Sequence, residues 1–257
     1  MIRELSIIIP TFNESDYIPL LLSSLALQSY TGNLEIIIVD GESTDDTVNI
    51  VRSFTNQLND LSVIETKADI GCQRNIGAQH AKYEYFLFLD ADVTLPVDLL
   101  KDLLKKVDLK DPFIVSVMHV FDDLSLIDQV FFVVGYLLLL ILLLFRMPVT
   151  NGDFILTSRA NFQNIKGFKE GSILGEDVDF GKRSIESGAT FKFYFSPKVT
   201  GSLRRVRLMG RTNILLLWFP AFLRVVRHGP IYPGQGLDDY PFGHYNNVES
   251  SKRLSKK

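Results

Sequence analysis

The sequence predicts an α/β protein built on an open, mostly parallel sheet with helices on its faces. Two patterns carry that prediction. Over the first 120 residues, short apolar runs alternate with amphipathic stretches, as strand and helix units of one sheet do. Three of those apolar runs end abruptly in polar clusters, where an α/β sheet presents its ligand site. Composition agrees: 257 residues, 46% hydrophobic and 22% charged, permit one large domain, or one with a short appended element, and exclude wholesale disorder.

The elements follow in order. Strands are expected at Leu5–Ile9, Leu34–Val39, Leu61–Glu65, Tyr85–Leu89 and Phe113–Val120. Helices are expected at about Asp16–Gln28, Asp45–Leu58, Cys72–Ala81 and Pro96–Val107. Thr44 with Asp45 and Asp46 reads as an N-cap and an acid-rich first turn, and Thr94 before Pro96 reads in the same way. Further on, Asn151–Thr157 reads as a strand, Glu176–Ser187 as a helix and Thr190–Phe195 as a strand.

Two stretches depart from this pattern. Val130–Phe145 is sixteen residues without a formal charge, mostly Leu, Phe and Val. A membrane span wants about 20 apolar residues, so three readings stand: a buried core helix, a helix lying in the bilayer face, or a span. The second stretch, Leu203–His228, mixes arginines with Leu, Trp and Phe and is interrupted by Gly210 and Pro220. Such a mixture suits a helix at the headgroup level of a membrane. After Gly229 the chain turns rich in Gly, Pro, Tyr and Asn, a tail that packs only in part.

Charge is distributed unevenly. Residues 1–180 carry a net −13 and residues 181–257 a net +10, within a total of −3. Between Lys198 and His228 there is no acidic residue, while Arg204, Arg205, Arg207, Arg211, Arg224 and Arg227 all fall there. Interleaved with apolar side chains, that block points to an anionic membrane surface, and no recognisable nucleic-acid motif accompanies it. Mean hydropathy, +0.14, is slightly high for a water-soluble enzyme. The start, Met1-Ile2-Arg3-Glu4, lacks the features of a secretory leader, so the cytoplasmic side of a membrane is expected. A single cysteine, Cys72, excludes an intrachain disulfide and reads as a small packed side chain. The four histidines, His80, His119, His228 and His244, are scattered without zinc-ligand spacing.

The chemistry is concentrated in the polar clusters. The first strand empties into Pro10-Thr11-Phe12-Asn13-Glu14, the second into Asp40-Gly41-Glu42-Ser43-Thr44-Asp45, and the fourth into Asp90-Ala91-Asp92. Each alone would pass for an ordinary turn; three on one sheet edge form a constellation. Hard carboxylate oxygens beside room for phosphate suit Mg²⁺ or Mn²⁺. Glu176-Asp177-Val178-Asp179 opens a helix, whose positive end is expected to lower a carboxyl pKa and keep one group ionised.

These segments, with Arg74-Asn75-Ile76-Gly77-Ala78 and Gly175-Glu176-Asp177, resemble in order and spacing the family 2 glycosyltransferases of GT-A fold, over roughly residues 3–205. The resemblance implies a nucleotide-sugar donor, a divalent metal and inversion at the anomeric carbon. It places Pro10, Thr11, Asn13 and Glu14 along the nucleoside pocket and Asp40 at the base, with Glu42 in the same donor-binding turn. It places Arg74 near the donor, Asp90 at the ribose or metal, Asp92 as principal metal ligand, and Asp177, beside Glu176, as catalytic base. Arg74 reads equally as a helix-surface residue. Where family members usually have Asp-Asp-Gly-Ser, this chain has Asp40-Gly41-Glu42-Ser43, which leaves base specificity open. The Gln-x-x-Arg-Trp signature of processive synthases is absent, which argues for single transfer. Ser202-Leu203-Arg204-Arg205 resembles a segment of some small members in which Arg204 and Arg205 could hold the diphosphate.

The expected organisation is a transferase domain over residues 1–202 with an apolar helix inserted at about 124–147, a membrane-interface segment at 203–228, and a tail at 229–257. The expected reaction is metal-dependent, inverting sugar transfer to a lipid-linked or membrane-proximal hydroxyl, by a peripheral or monotopic protein. Sugar nucleotidyl transfer is the alternative enzyme class, although the Pro10–Glu14 turn lacks the Gly-rich, basic loop that such enzymes carry. A non-catalytic scaffold is the other alternative, against which stand the intact Asp90, Asp92 and Asp177.

Overall fold

A computed structural model of the chain describes residues 2–107, 111–121, 124–144, 147, 150 and 152–235, with only the backbone path given at 139, 143, 205, 208, 211–215, 218 and 219. Seven strands, β1 (Glu4–Thr11), β2 (Asn33–Asp40), β3 (Leu61–Glu65), β4 (Tyr85–Leu89), β5 (Phe113–Phe121), β6 (Phe154–Ser158) and β7 (Thr190–Gly201), form one sheet in the order β3-β2-β1-β4-β6-β5-β7. All neighbours pair in parallel except β6, which runs antiparallel to both β4 and β5. The expected open, mostly parallel sheet is therefore present. The ends of β1, β2, β4, β5 and β7 and the start of β6 all meet at one edge.

The strands read as unbroken apolar runs because both faces are covered. Ile7, Ile9, Ile36, Ile38, Leu87 and Leu89 pack on one side with Leu21, Leu22 and Leu25 of α1 (Ile18–Ala26) and with Leu99, Leu100 and Leu103 of α4 (Leu99–Lys106). Ile8, Ile37, Val39, Phe86 and Phe88 point the other way. They meet Ala78 of α3 (Ile70–His80), Phe168, and Phe180 of α7 (Glu176–Glu186). Two further short helices, α2 (Thr47–Ser53) and α6 (Arg159–Asn164), complete the layers; α6 has no counterpart in the sequence reading.

Several boundaries differ from expectation for identifiable reasons. α2 and α4 begin after Asp46 and Asp98, so Thr44 and Thr94 are not N-caps. The Thr44 amide instead donates to Asn13 Oδ1, and Thr94 exchanges backbone hydrogen bonds with Thr200. β7 continues past Pro197 to Gly201 because a bulge opposite Val117 and Met118 absorbs the interruption before the ladder resumes. β6 starts at Phe154; Asn151, where the strand was expected to begin, lies outside the described residues.

The apolar stretch forms α5 (Leu126–Leu144); Phe145 lies outside the described residues. A capping box opens it: the Ser125 amide and hydroxyl both donate to Asp128 Oδ2, and the Asp128 amide donates to Ser125 Oγ. Phe132 stacks on Phe121 at 4.4 Å and the Tyr136 hydroxyl donates to the His119 carbonyl at 2.7 Å, docking one face on the end of β5. The other face is open: Val133, Val134 and Leu137 are each 55% exposed. α5 is thus not the buried core helix that one reading allowed. Among the described residues no helix is long and apolar enough to cross a membrane. Past Asp128 and Gln129, the uncharged part of α5 described here is about 22 Å long at 1.5 Å per residue, short of a bilayer's ~30 Å core.

The basic stretch forms α8 (Arg204–Met209) and α9 (Arg211–His228). Gly210, at φ +81, breaks it as expected. Pro220 does not: it lies inside α9, and both it and Leu216, one turn earlier, are exposed. α9 packs on α7 through Ala221 and Val225, and Ile231 joins them by pairing with Leu174. The first residues of the expected tail are therefore part of the packed body; residues 236–257 lie outside the described residues.

Candidate active site

The turns after β1 and β2 are stitched together by side chains that the sequence places at the nucleoside pocket. Thr11 Oγ1 donates to Asp40 Oδ1 at 2.9 Å, and the Ser43 amide and hydroxyl donate to Asp40 Oδ2 and Oδ1. Asn13, at φ +54, donates from its amide to Ser43 Oγ, and the Glu14 amide donates to Thr47 Oγ1. Gln73 of α3 reaches in from below to the carbonyls of Thr11 and Val39. Pro10, Thr11 and Asp40 are themselves buried, so they brace this edge, while the exposed Glu42, at φ +60, stands at its rim.

Arg74 is the hub of the next layer. Its side chain is wholly buried, which excludes the helix-surface reading and sets it beneath the site. Nη2 lies 2.8 Å from Asp90 Oδ1 and donates to the Gly152 carbonyl; Nη1 lies 2.9 Å from Glu176 Oε1. The guanidinium also sits 5.1 Å from the Phe168 ring centre. Burial works against its charge, but Asp90, Glu176 and Asp177 hold it firmly protonated. One cation thereby fixes two of the carboxylates that the sequence singles out.

Asp177 is the third. Its Oδ2 accepts the Gly152 amide at 2.8 Å and its Oδ1 accepts the Val178 amide, while Thr150 Oγ1 donates to its carbonyl. Burial, then the neighbouring Glu176, push the Asp177 carboxyl up to about 7, against the opposite pull of Arg74. The expected lowering at the α7 N-terminus is therefore reversed: lost hydration and a second carboxylate outweigh the helix end. Two glycines make this packing possible. A Cβ on Gly152 would lie 3.0 Å from Arg74 Nη2 and 3.2 Å from Asp177 Oδ2, and Gly175, at φ +89, would meet Val225 at 2.5 Å.

Beside this layer Arg204 closes on Glu14 and Asp92. Nη1 and Nη2 each lie 2.7 Å from a Glu14 carboxylate oxygen, Nε lies 3.1 Å from Asp92 Oδ2, and Cζ lies 4.8 Å from the Tyr17 ring centre. Burial pushes the Glu14 carboxyl up to about 7, although the Arg204 hydrogen bonds and charge pull it down. The Asp92 and Asp90 side chains keep 13% and 17% exposure, so solvent reaches both. Among the described residues no group of three or more His, Cys, Asp or Glu could hold an ion unaided. Asp92 and Asp90 fit a Mg²⁺ or Mn²⁺ that takes one or two carboxylates and completes its shell from phosphate and water. The Arg205 side chain lies outside the described residues.

A cleft of about 290 Å³ is lined by Asp128 of α5 and by Leu203, Val206, Arg207 and Gly210. Nothing in the sequence signalled this cleft, the Tyr17 ring under Arg204, or the role of Gly152 and Thr150. The last two act through, or upon, main-chain groups, and residue type carries no mark of that. The His119–Asp153 contact, 2.7 Å from Nδ1 to Oδ2, was equally hidden, because it joins isolated residues of β5 and the loop before β6.

A mostly parallel sheet with carboxylates, a buried arginine and two stitched turns at one edge is a GT-A-like fold. The family model for Glycosyl transferase family 2 matches residues 6–165, and the chain belongs to that family. Two Staphylococcus aureus strains carry a poly(ribitol-phosphate) beta-N-acetylglucosaminyltransferase, TarS, that is 39% identical over 106 residues, 40% of this chain and 18% of TarS. A Mycobacterium tuberculosis PGL/p-HBAD biosynthesis glycosyltransferase is 39% identical over 92 residues, 35% of this chain and 36% of that protein. The chain thus spans less than two fifths of the length of these relatives. Among solved structures, a mannosyltransferase from Pyrobaculum calidifontis in complex with GDP-Man and Mn²⁺ superposes with a TM-score of 0.68 at 21% identity, over 94% of this chain and 68% of that one. S. aureus TarS 1–349 in complex with UDP-GlcNAc superposes at 0.62 and 21%, over 77% and 58%.

Proposed function

We propose that this protein moves a sugar from a nucleoside-diphosphate sugar to a hydroxyl of a lipid-linked or membrane-proximal acceptor, with inversion, in the presence of Mg²⁺ or Mn²⁺. The observation that carries the reading is Asp177: a carboxylate aimed by two amides, at the rim of the Arg74–Asp90–Glu176 cluster, with a pKa raised to about 7. A base in that range is well matched to taking the acceptor hydroxyl proton as the oxygen attacks the anomeric carbon. Arg74 holds Glu176 and Asp90 in place meanwhile. Asp92 and Asp90 are the residues that would hold the cation, whose chemistry is to neutralise charge on the departing diphosphate. Arg204 stands next to them, and Asn13 and Glu14 flank the donor side.

The membrane part of the reading rests on α5 and α8–α9. An outward face carrying Val130, Val133, Val134, Leu137, Leu140 and Ile141, each about half or more exposed, is more apolar surface than a water-facing helix carries. Arg207 and Arg227 are exposed on the neighbouring helices, suited to anionic headgroups at about 1 kcal/mol each. The reading is peripheral or monotopic attachment at a cytoplasmic face.

The deciding experiment incubates the protein with UDP-, GDP- and dTDP-sugars and Mn²⁺, and looks for free nucleoside diphosphate. Release from one donor, lost on adding EDTA, is the expected result. Pyrophosphate release from a nucleoside triphosphate plus a sugar phosphate would replace this reading with nucleotidyl transfer.

A further inference from the structure

Arg204 holds the very carboxylates that the proposed reaction assigns to cation and donor. Its fork satisfies both oxygens of Glu14, which leaves Nε for Asp92 Oδ2. Three anionic oxygens thus converge on one cation, and that cation is carried by the chain itself. The pair is largely shielded from water, with Arg204 7% and Glu14 13% exposed, and a fork-on-carboxylate contact of this kind is among the stronger ones available. A divalent ion on Asp92 would stand a few ångströms from the guanidinium, and two cations at that range repel. Arg204 is also the first residue of a six-residue helix, entered from Gly201 and Ser202 and left at Gly210, which packs against α9.

We infer that Arg204 is a resident counter-ion of the donor site, which a divalent cation must displace from Asp92 before it can bind. This deepens the proposed transferase reading and rests on it. Displacement costs the Arg204–Asp92 contact, so the cation alone binds poorly. A diphosphate offers the freed guanidinium a new anionic partner, so cation and nucleotide enter together. Such coupling is reciprocal, since whatever the nucleotide adds to cation affinity the cation adds to nucleotide affinity.

The test measures Mn²⁺ binding by calorimetry and by water-proton relaxation, without nucleotide, for the wild-type chain and for Arg204→Met. Removing the competing charge is expected to raise affinity for Mn²⁺ alone about tenfold, near 1.4 kcal/mol, while lowering affinity for UDP or GDP in the presence of Mn²⁺. Arg204→Lys, which keeps charge but not the fork, is expected to fall between. In the wild-type chain, the Arg204 Nε–H resonance, assigned by its loss in the lysine variant, is expected to shift when Mg²⁺ and UDP or GDP are added together. That readout holds even where the methionine variant does not fold. Equal or weaker binding of Mn²⁺ alone by Arg204→Met overturns the inference and leaves the transferase reading standing. Absence of Mn²⁺ binding to the wild-type chain with every nucleotide overturns both.

Discussion

Arg204 and Glu14 lie 190 residues apart in sequence and meet through two parallel 2.7 Å hydrogen bonds. The contact ties the first turn after β1 to the first turn of α8. Glu14→Gln keeps the shape and removes the charge that the Arg204 fork meets. At pH 8 the loss of a charge-assisted contact is expected to destabilise the protein by about 1–3 kcal/mol, read from the urea midpoint.

Asp177→Asn removes the proposed base and keeps one oxygen, which can accept from only one of the Gly152 and Val178 amides. Transfer, or donor hydrolysis in its place, is expected to fall by about 10²–10⁴, with nucleotide affinity within a few-fold of wild type. A collapse of nucleotide affinity would make Asp177 a donor or metal ligand instead.

The pKa of Asp177 sets a pH dependence. As a base it must be ionised, so log kcat/KM is expected to rise with unit slope up to about pH 7 and level off above it. Stability runs the other way. A carboxyl raised in the folded state binds protons there that the unfolded chain has already released, so stability falls as pH climbs from about 4 to about 7. Glu14, also raised to about 7, adds to the same trend. Melting temperatures from pH 5 to pH 8 are expected to decline, and the decline to be shallower in Asp177→Asn.

Arg74→Met leaves Asp90, Glu176 and Asp177 facing one another without their common cation. Loss of one partner from a buried ionic cluster costs about 3–5 kcal/mol, so this variant is expected to lose much of its stability in urea denaturation. An unchanged midpoint would mean that the three carboxyls neutralise themselves by taking up protons.

Val133→Glu with Leu137→Glu places two charges on the outward face of α5, where both side chains are 55% exposed. Each exposed change is expected to alter stability by no more than about 0.5 kcal/mol, yet sedimentation with anionic liposomes is expected to drop sharply. Undiminished sedimentation would shift membrane attachment to α8 and α9.

Much of this was legible in the residues. Leu61–Glu65 and Tyr85–Leu89 are strands to the residue because turn-forming or polar groups bound each apolar run. The clusters ending at Glu14, Asp45 and Asp92 lie at one edge because parallel strands share a direction. The α2 and α4 starts were not legible, since Thr44 and Thr94 are competent caps by residue type and are diverted by partners distant in sequence. The raised Asp177 carboxyl was hidden for the same reason: helix-end electrostatics is local and readable, whereas desolvation is set by the fold. Arg74 read as exposed or donor-facing on its own helix. Only the arrival of α7 and the Gly152 loop shows it to be enclosed.

The reversed direction of β6 fixes where the α5 segment joins the sheet. β5 ends, and β6 begins, at the same sheet edge, where Asp90 and Arg204 lie, and α5 falls between them in the chain. α5 is in that sense a cassette attached at one edge of the sheet. Lengthening, shortening or replacing it would alter what the protein presents to its surroundings, while the strand register and the carboxylates beneath stay in place.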